Sequence, residues 1–147
     1  DLMEISVMDN GSPVVVKPHT IAVSEQTACV IGENHKLYCW GAAYTNGLYS
    51  DSASNKLVPT KITFGQDYDF KKIMFGDSSS MCGILTSDEV VCWGYNPYQH
   101  LGPTSFNDTS SYISRAAAQK MPDSISGLPL KVKSFIMPYY NSMFIRK

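Results

Sequence analysis

The chain has 147 residues, 44% of them hydrophobic, which fits one domain with a buried core and argues against intrinsic disorder. Its 12 Lys and Arg against 13 Asp and Glu give a formal net charge of −1, so no overall field attracts DNA, RNA or an anionic membrane. Its apolar stretches fall far short of the roughly 20 residues that span a bilayer, which argues against direct membrane insertion by this segment.

The N-terminal segment, residues 1–12, is predicted to be a lead-in or the end of a preceding structural unit. It lacks the basic and apolar regions of a signal peptide, so we expect that such a peptide was removed or never belonged to this segment.

The rest of the chain contains a repeat, and a fixed repeat period indicates a fold built from repeated structural units. Cys29 and Cys39 recur with unchanged spacing as Cys82 and Cys92, each pair followed by Trp-Gly. A third copy without cysteine begins at Phe135. The predicted units are 13–65, 66–127 and a truncated third unit at 128–147. The second unit carries a polar insertion at about 103–120, predicted to be a surface loop with a short helix at 114–119.

Within each unit, short apolar stretches are separated by Gly, Pro, Asn, Asp and Ser, which favours strands over helices. The predicted strands lie near residues 20–23, 28–31, 36–40, 61–64, 72–75, 81–85, 89–93 and 131–136.

The central hairpin of each unit is apolar on both faces. If Cys29 pairs with Cys39, the turn is centred on Asn34, and pairing of Cys82 with Cys92 centres the second turn on Ser87. Side chains alternate between the two faces of a strand. One face then carries Cys29, Ile31, Leu37 and Cys39 and the other Ala28, Val30, Tyr38 and Trp40; in the second unit the faces are Cys82, Ile84, Val90 and Cys92 against Met81, Leu85, Val91 and Trp93.

Sheets that are apolar on both faces must be covered on both sides, which face-to-face stacking of blades provides. The sequence therefore predicts an all-β fold, a partial β-propeller of about two and a half to three blades. We expect this stack to be a fragment, or to be completed by other chain or by a partner, because its end faces would otherwise be exposed. Trp40 and Trp93 are predicted to pack between blades.

The four cysteines allow three pairings, and the repeat favours bonds within each hairpin: Cys29 with Cys39 and Cys82 with Cys92. Directly opposed residues of an antiparallel pair have Cα atoms close enough for a disulfide. The alternative is four buried free thiols in a cytosolic propeller. No metal site or cofactor is expected, because close Cys-x-x-Cys pairs are missing and the histidines occupy unrelated repeat positions.

The segment Trp93-Gly94-Tyr95-Asn96-Pro97-Tyr98-Gln99-His100-Leu101-Gly102 resembles the repeat of the regulator of chromosome condensation (RCC1) family, in which Trp-Gly-x-Asn leads to Gly-Gln-Leu-Gly. The hairpin before it is similar to the same family's pattern, and the resemblance extends through most of 13–147. It implies a propeller that usually closes about seven blades, more than this length supplies. The family's guanine nucleotide exchange depends on a complete propeller face, so the resemblance implies the fold more than the activity.

The leading functional hypothesis is a non-catalytic extracellular or lumenal module that binds a protein partner or a neighbouring subunit. The alternatives are an intracellular regulatory or nucleotide-exchange propeller, and a carbohydrate-binding or enzymatic propeller. Carboxylates such as Asp67 with Asp69, or Asp88 with Glu89, are interpreted as turn residues, and we predict no enzyme activity. Asn107 begins an Asn-Asp-Thr sequon and is the predicted glycosylation site.

The predicted partner-binding residues lie in the loops that follow Trp-Gly in both units. Loops on a rigid scaffold present recognition groups, and Tyr and Asn give contact area and hydrogen bonds at modest entropic cost. The alternative is that these loops are only turns and blade packing. The residues are Tyr44, Asn46 and Tyr49 in the first unit and Tyr95, Asn96, Tyr98 and His100 in the second.

Overall fold

The structure is a computed structural model, and it describes residues 3–24, 26–42, 55–64, 66–76, 80–95, 112–113, 119–120, 131–136 and 143–146. These residues form strands, turns and irregular connections, which confirms the all-β prediction for the described part of the chain. Among them, no helix is long and apolar enough to cross a bilayer.

The first sheet has the order β2-β1-β6-β5-β4-β3. Its antiparallel meander β3-β4-β5-β6 is the first blade, and an N-terminal hairpin, β1-β2, joins it beside β6. The strands are β1 Ile5–Asp9, β2 Ser12–Val16, β3 Pro18–Val23, β4 Thr27–Gly32, β5 Leu37–Gly41 and β6 Lys56–Lys61.

The second blade and a third unit follow. In the second blade the path is β10-β9-β8-β7, and β11 also pairs with β9, so two short strands share the fourth position. The third unit is the antiparallel pair β12-β13. The strands are β7 Phe70–Phe75, β8 Ser80–Leu85, β9 Val90–Tyr95, β10 Tyr112–Ile113, β11 Gln119–Lys120, β12 Val132–Ile136 and β13 Met143–Arg146.

Two expectations about strands were wrong. The fourth strand of the first blade is β6 at Lys56–Lys61 and not at 61–64, because Ile62 and Phe64 lie in an irregular segment that is buried in the core. The insertion is not a loop throughout, since β10 and β11 pair with β9 in the sheet. Gln119, the last residue of the expected helix, lies in β11, and residues 114–118 fall outside the described residues.

The turns of the two central hairpins have the same geometry, centred where the sequence predicts. Cys29 pairs with Cys39 and Cys82 with Cys92 in an antiparallel register. Each turn closes through a residue in the left-handed region, His35 with φ 63° and Asp88 with φ 66°. This position commonly ends a three-residue hairpin turn and usually holds glycine, so both side chains adopt a conformation that L-residues disfavour.

One face of the first hairpin packs against the second blade, as predicted. Its disulfide face joins the second blade's tryptophan face in one core, where the rings of Phe64 and Trp93 have centroids 4.7 Å apart. Trp93 is fully buried, and burial of a side chain of this size contributes on the order of 2 to 3 kcal/mol. The contributors from both blades and the segment between them are Cys29, Ile31, Leu37, Cys39, Ile62, Phe64, Phe70, Ile73, Met81, Leu85, Val91 and Trp93. Blades therefore stack face to face.

The opposite face of the first hairpin is covered by β1-β2, a feature that the sequence analysis did not predict. Val7 and Val16 pack against Val30 and Tyr38 in a second core. Asn10 (φ 49°) and Gly11 (φ 81°) form the tight turn of this hairpin, and two left-handed residues in succession are the pattern that Asn-Gly favours. The hairpin thus lies where a preceding blade would pack.

Candidate interaction site

The blades have two edges, which we name by the chain segments that they carry. The turn rim carries the hairpin turns around Asn34 and Ser87, together with the connection from β6 to β7. The loop rim is the opposite edge, where β5 ends at Gly41 and β9 ends at Tyr95. Both Trp-Gly sequences therefore lie at the end of a strand at the loop rim.

Most of the predicted binding residues lie outside the described residues. These are Tyr44, Asn46, Tyr49, Asn96, Tyr98 and His100, and the sequon residue Asn107 also lies outside. Tyr95 is the last residue of β9 and pairs with Tyr112 of β10. The structure therefore places the base of each predicted binding loop and leaves the loops themselves as a prediction.

The base of the first loop is fixed by its backbone. Gly41 has φ 109°, and a Cβ atom at this position would collide with the backbone oxygen of Gln26. The next residue, Ala42, donates its N–H to the same Gln26 oxygen at 2.9 Å, and the buried Thr27 donates its hydroxyl to the Ala42 carbonyl at 3.1 Å. The chain leaves the blade in one direction because only glycine fits this close approach.

A disulfide braces the two middle strands of each blade below the loop rim. Cys29 is bonded to Cys39 and Cys82 to Cys92, with Cα atoms 4.1 Å apart in both pairs. The four sulfur-bearing residues are at most 1% exposed. Each bond closes a short loop around the turn, which lowers the entropy of the unfolded chain and can stabilise the blade by about 2 to 3 kcal/mol. The loops are therefore presented by cross-linked strands.

Lysine–aspartate ion pairs tie the turn rim of the first blade to the connection that leads into the second. Lys36 Nζ lies 2.8 Å from Asp69 Oδ1 and 3.1 Å from Asp67 Oδ2. Lys61 Nζ bridges Asp67 at 3.3 Å and Asp9, at the end of β1, at 3.4 Å. The network joins the N-terminal hairpin, the first blade and the connection, and it pairs Asp67 and Asp69, which the sequence analysis interpreted as turn residues, with lysine side chains.

The network shifts the titration of its members. The hydrogen bond to Asp69, aided by Asp67, raises the pKa of Lys36, although partial burial opposes the shift. Partial burial alone would raise the pKa of Asp67, but its ion pairs with Lys36 and Lys61 outweigh burial and hold the pKa below its ordinary value. Burial would lower the pKa of Lys61, but Asp67 and Asp9 together raise it. All three groups are thus kept charged, which suits a structural role.

Other residues singled out by sequence are engaged in local contacts. Asp88 pairs with Lys71 at 3.1 Å, and Glu89 accepts a hydrogen bond from Ser87 at 2.8 Å. The rings of His19 and His35 lie edge to face with centroids 6.4 Å apart. Among the described residues, no group of three or more His, Cys, Asp or Glu side chains is placed to hold a metal ion.

These features define a partial β-propeller with disulfide-braced blades, and solved structures confirm its type. The chain is similar to yeast RCC1 (Prp20), crystallised with Kap60, with a TM-score of 0.65 and 16% identity over 93% of this chain and 30% of that chain. For human WBSCR16 the TM-score is 0.60 at 16% identity, over 85% of this chain and 32% of that one.

A second structure of Prp20p, from Saccharomyces cerevisiae, described with its binding properties to Gsp1p and histones, gives a TM-score of 0.62 and 15% identity over 94% of this chain and 35% of that one. The fold is therefore that of an RCC1-like propeller, as the sequence resemblance implied, and the chain spans about a third of the length of these structures. Protein-family models and curated proteins give no match.

Proposed function

We propose that the chain is a non-catalytic protein-binding or assembly module that works outside the cell or in the lumen of the secretory pathway. The observation that carries this proposal is the combination of two buried disulfides with a loop rim from which Tyr- and Asn-rich segments leave both blades. Rigid strands that end in polar aromatic loops suit recognition of a protein surface.

The compartment is proposed from the cysteines. Disulfides persist in oxidising compartments and are rare in the cytosol, where thiols are kept reduced. The described residues contain no free cysteine, and the two bonds occupy equivalent positions in two successive blades. A glycan on Asn107 would fit the same setting, and its occupancy stays a prediction.

The protein-binding role also draws on the structural neighbours. Yeast RCC1 (Prp20) was crystallised bound to Kap60, and Prp20p has binding properties to Gsp1p and histones. A blade stack of the same fold offers comparable rims for a protein partner. Because this chain shares only about a sixth of its residues with those structures, the identity of its partner does not follow from them.

The same neighbours favour a second candidate, an intracellular regulatory propeller. The two candidates differ in thiol chemistry. We expect a thiol count of zero on the denatured, non-reduced protein isolated from its native source, whereas the intracellular candidate predicts four free thiols. A count of four would reject the extracellular or lumenal setting.

The binding role is tested by immobilising the oxidised chain and a Tyr44→Ala, Tyr49→Ala, Tyr98→Ala variant beside it. Each is exposed to proteins of the surrounding medium and cell surface, and retained proteins are quantified by mass spectrometry. We expect a partner that is retained about tenfold less by the variant. A control with Glu33→Ala and Ser87→Ala, on the turn rim, should retain it fully. Equal retention by the tyrosine variant would place the contact surface elsewhere.

A further inference from the structure

Two histidines from different elements meet at the turn rim of the first blade. His19 lies in β3, and His35 is the left-handed residue of the hairpin turn between β4 and β5. The centroids of their rings are 6.4 Å apart, the ring planes stand at 73° to each other, and both side chains are exposed. Their different repeat positions predict no metal site, and only the tertiary structure brings the two imidazoles together.

The backbone holds both histidines in place. The register of β3 shifts between Pro18 and Thr20, so His19 is the extra residue of a bulge, a feature that re-aims a side chain. The N–H of His35 donates to the carbonyl of Gly32 at 2.9 Å, which closes the hairpin turn. The two imidazoles are therefore carried by a paired strand and a closed turn.

The second blade has an ion pair at the same two repeat positions. Lys71 is the extra residue where the register of β7 shifts between Phe70 and Lys72, and Asp88 is the left-handed residue of the second hairpin turn. Lys71 Nζ lies 3.1 Å from Asp88 Oδ1. A contact between bulge and turn is thus repeated in both blades, but the first blade has two imidazoles in place of opposite charges.

The exposure of this position does not depend on the ends of the chain. The second blade has the first blade on one side, where β7 contacts β3 and β4. On its other side, Glu89 pairs with Lys131 at the start of the third unit. Lys71 is nevertheless 57% exposed. The position is open because it lies on the turn rim, so a ligand reaches it with a neighbouring blade on either side.

We propose that His19 and His35 form a binding site for a divalent transition-metal ion of the zinc class, with water in the remaining positions. Imidazole nitrogen is a preferred ligand of such ions. Two imidazoles on one tetrahedral Zn²⁺, with Zn–N bonds of about 2 Å, have ring centroids about 5 Å apart, so the exposed rings need to approach by only about 1 Å. The protein supplies two ligands, and among the described residues there is no group of three or more.

The charged groups near the pair in the chain do not oppose a cation. Lys36 is paired with Asp67 and Asp69, so its charge is compensated. Lys17 and Glu33 carry opposite charges, and the backbone N–H of Glu33 donates to the Lys17 carbonyl at 2.9 Å. A bound ion would cross-link the start of β3 to the hairpin turn. This site lies on the turn rim and goes beyond the partner binding proposed for the loop rim.

The test is a calorimetric titration of the full oxidised chain with zinc chloride up to about 1 mM, at about pH 7.5, where imidazole is neutral. We expect the parent chain to bind one equivalent of Zn²⁺. His19→Gln and His35→Asn should each weaken binding about tenfold or more, because each removes one of two ligands. Asparagine tolerates the left-handed region, so His35→Asn keeps the turn.

Asp88→Asn is the matched control, because it places the same new residue at the equivalent left-handed position of the second blade. This variant should bind Zn²⁺ like the parent chain. Lowering the pH to about 5.5 should abolish binding by the parent chain, because protons compete with the metal for imidazole nitrogen. Equal near-ultraviolet circular dichroism of all variants excludes unfolding as the cause.

Nuclear magnetic resonance of the imidazole ring protons locates the bound ion. Zn²⁺ should shift the signals of His19 and His35 together, with the signal of His100 as the internal reference. Absence of binding by the parent chain, histidine variants that bind as tightly as the parent, an equal loss for Asp88→Asn, or binding that persists at pH 5.5 would each overturn the proposal.

Discussion

The backbone N–H of Phe70 donates a 2.7 Å hydrogen bond to the carbonyl oxygen of His35, across the boundary between the first and second blades. The same contact recurs one unit later, where Val132 donates to Asp88 at 3.0 Å. Both acceptors are the left-handed residues of the hairpin turns. A positive φ turns these carbonyls toward the next blade, so the unusual turn conformation is tied to blade stacking.

We expect His35→Val to destabilise the chain by about 1 to 2 kcal/mol, because a β-branched side chain tolerates the left-handed region poorly. Urea unfolding monitored by circular dichroism measures this loss. Glu33→Val, in the same turn with an exposed side chain, should change stability by no more than about 0.5 kcal/mol. Equal effects of the two variants would show that the φ of His35 carries no cost.

Loss of one disulfide is expected to weaken its own blade most. Cys29→Ala with Cys39→Ala should lower the free energy of unfolding by about 2 to 3 kcal/mol, the loop-entropy contribution of a short cross-link. A non-reduced peptide map of the parent chain should show bonds only within each pair. A bridge between Cys29 or Cys39 and either cysteine of the second blade would contradict both the strand register and this prediction.

Gly41 and Gly11 make a matched pair, since both have positive φ but only one is crowded. A Cβ at Gly41 meets the backbone oxygen of Gln26, whereas a Cβ at Gly11 meets nothing within 4 Å. Gly11→Ala should cost about 1 to 2 kcal/mol from backbone strain, and Gly41→Ala about 3 kcal/mol because the base of the loop must also move. Thermal melts of the two variants provide the comparison, and a smaller loss for Gly41→Ala would argue against the close approach.

The two repeat tryptophans should differ in their contribution to stability. Trp93 is 1% exposed and surrounded by core residues, so Trp93→Ala should destabilise by about 3 to 5 kcal/mol. Trp40 is only partly buried beside the smaller N-terminal core, and Trp40→Ala should cost clearly less. Denaturant titrations of both variants decide the order, and the reverse order would mean that the N-terminal core is the stronger of the two.

Acid should weaken the turn-rim network. The folded-state pKa of Asp67 lies below its ordinary value, so the stabilisation is present above about pH 4 and is lost as the pH falls through the folded-state pKa. Because the Asp67 side chain is 47% exposed, solvent screening limits the effect to less than about 1 kcal/mol. Asp67→Asn should flatten the dependence of stability on pH below pH 4, measured by urea midpoints, and a variant with the same profile as the parent chain would show that Asp67 does not contribute to it.

The face arrangement of the hairpins was predictable because two cysteine pairs fix the register, and a fixed register assigns every neighbouring side chain to a face. The prediction from hydrophobicity placed the fourth strand at 61–64 instead of at Lys56–Lys61, and the reason is physical. Ile62 and Phe64 are apolar because they fill the core from an irregular connection, while the strand itself exposes Leu57. Apolar character indicates that a residue is buried and does not by itself indicate a strand. Burial and strand structure therefore do not coincide where a connection enters the core.

The N-terminal hairpin has a local signal in the sequence. Asn10-Gly11 stands between Ile5 and Val7 on one side and Val14 and Val16 on the other, which is a strong short-range hairpin pattern. What the sequence could not supply is the partner of this hairpin, because Val30 and Tyr38 are reached only through tertiary packing. The short strands β10 and β11 gave no such pattern, since their pairing is dictated by the free edge of β9.

The position of each disulfide also bears on how the chain survives proteolysis. The exposed turn of each hairpin lies between two bonded cysteines, so a protease that cuts beside Glu33 or Ser87 opens the backbone without releasing a fragment. The cut ends stay joined through sulfur, and the strands on either side keep their register. A cut at the turn rim therefore leaves both pieces of the chain linked, and they separate only when the disulfide is reduced.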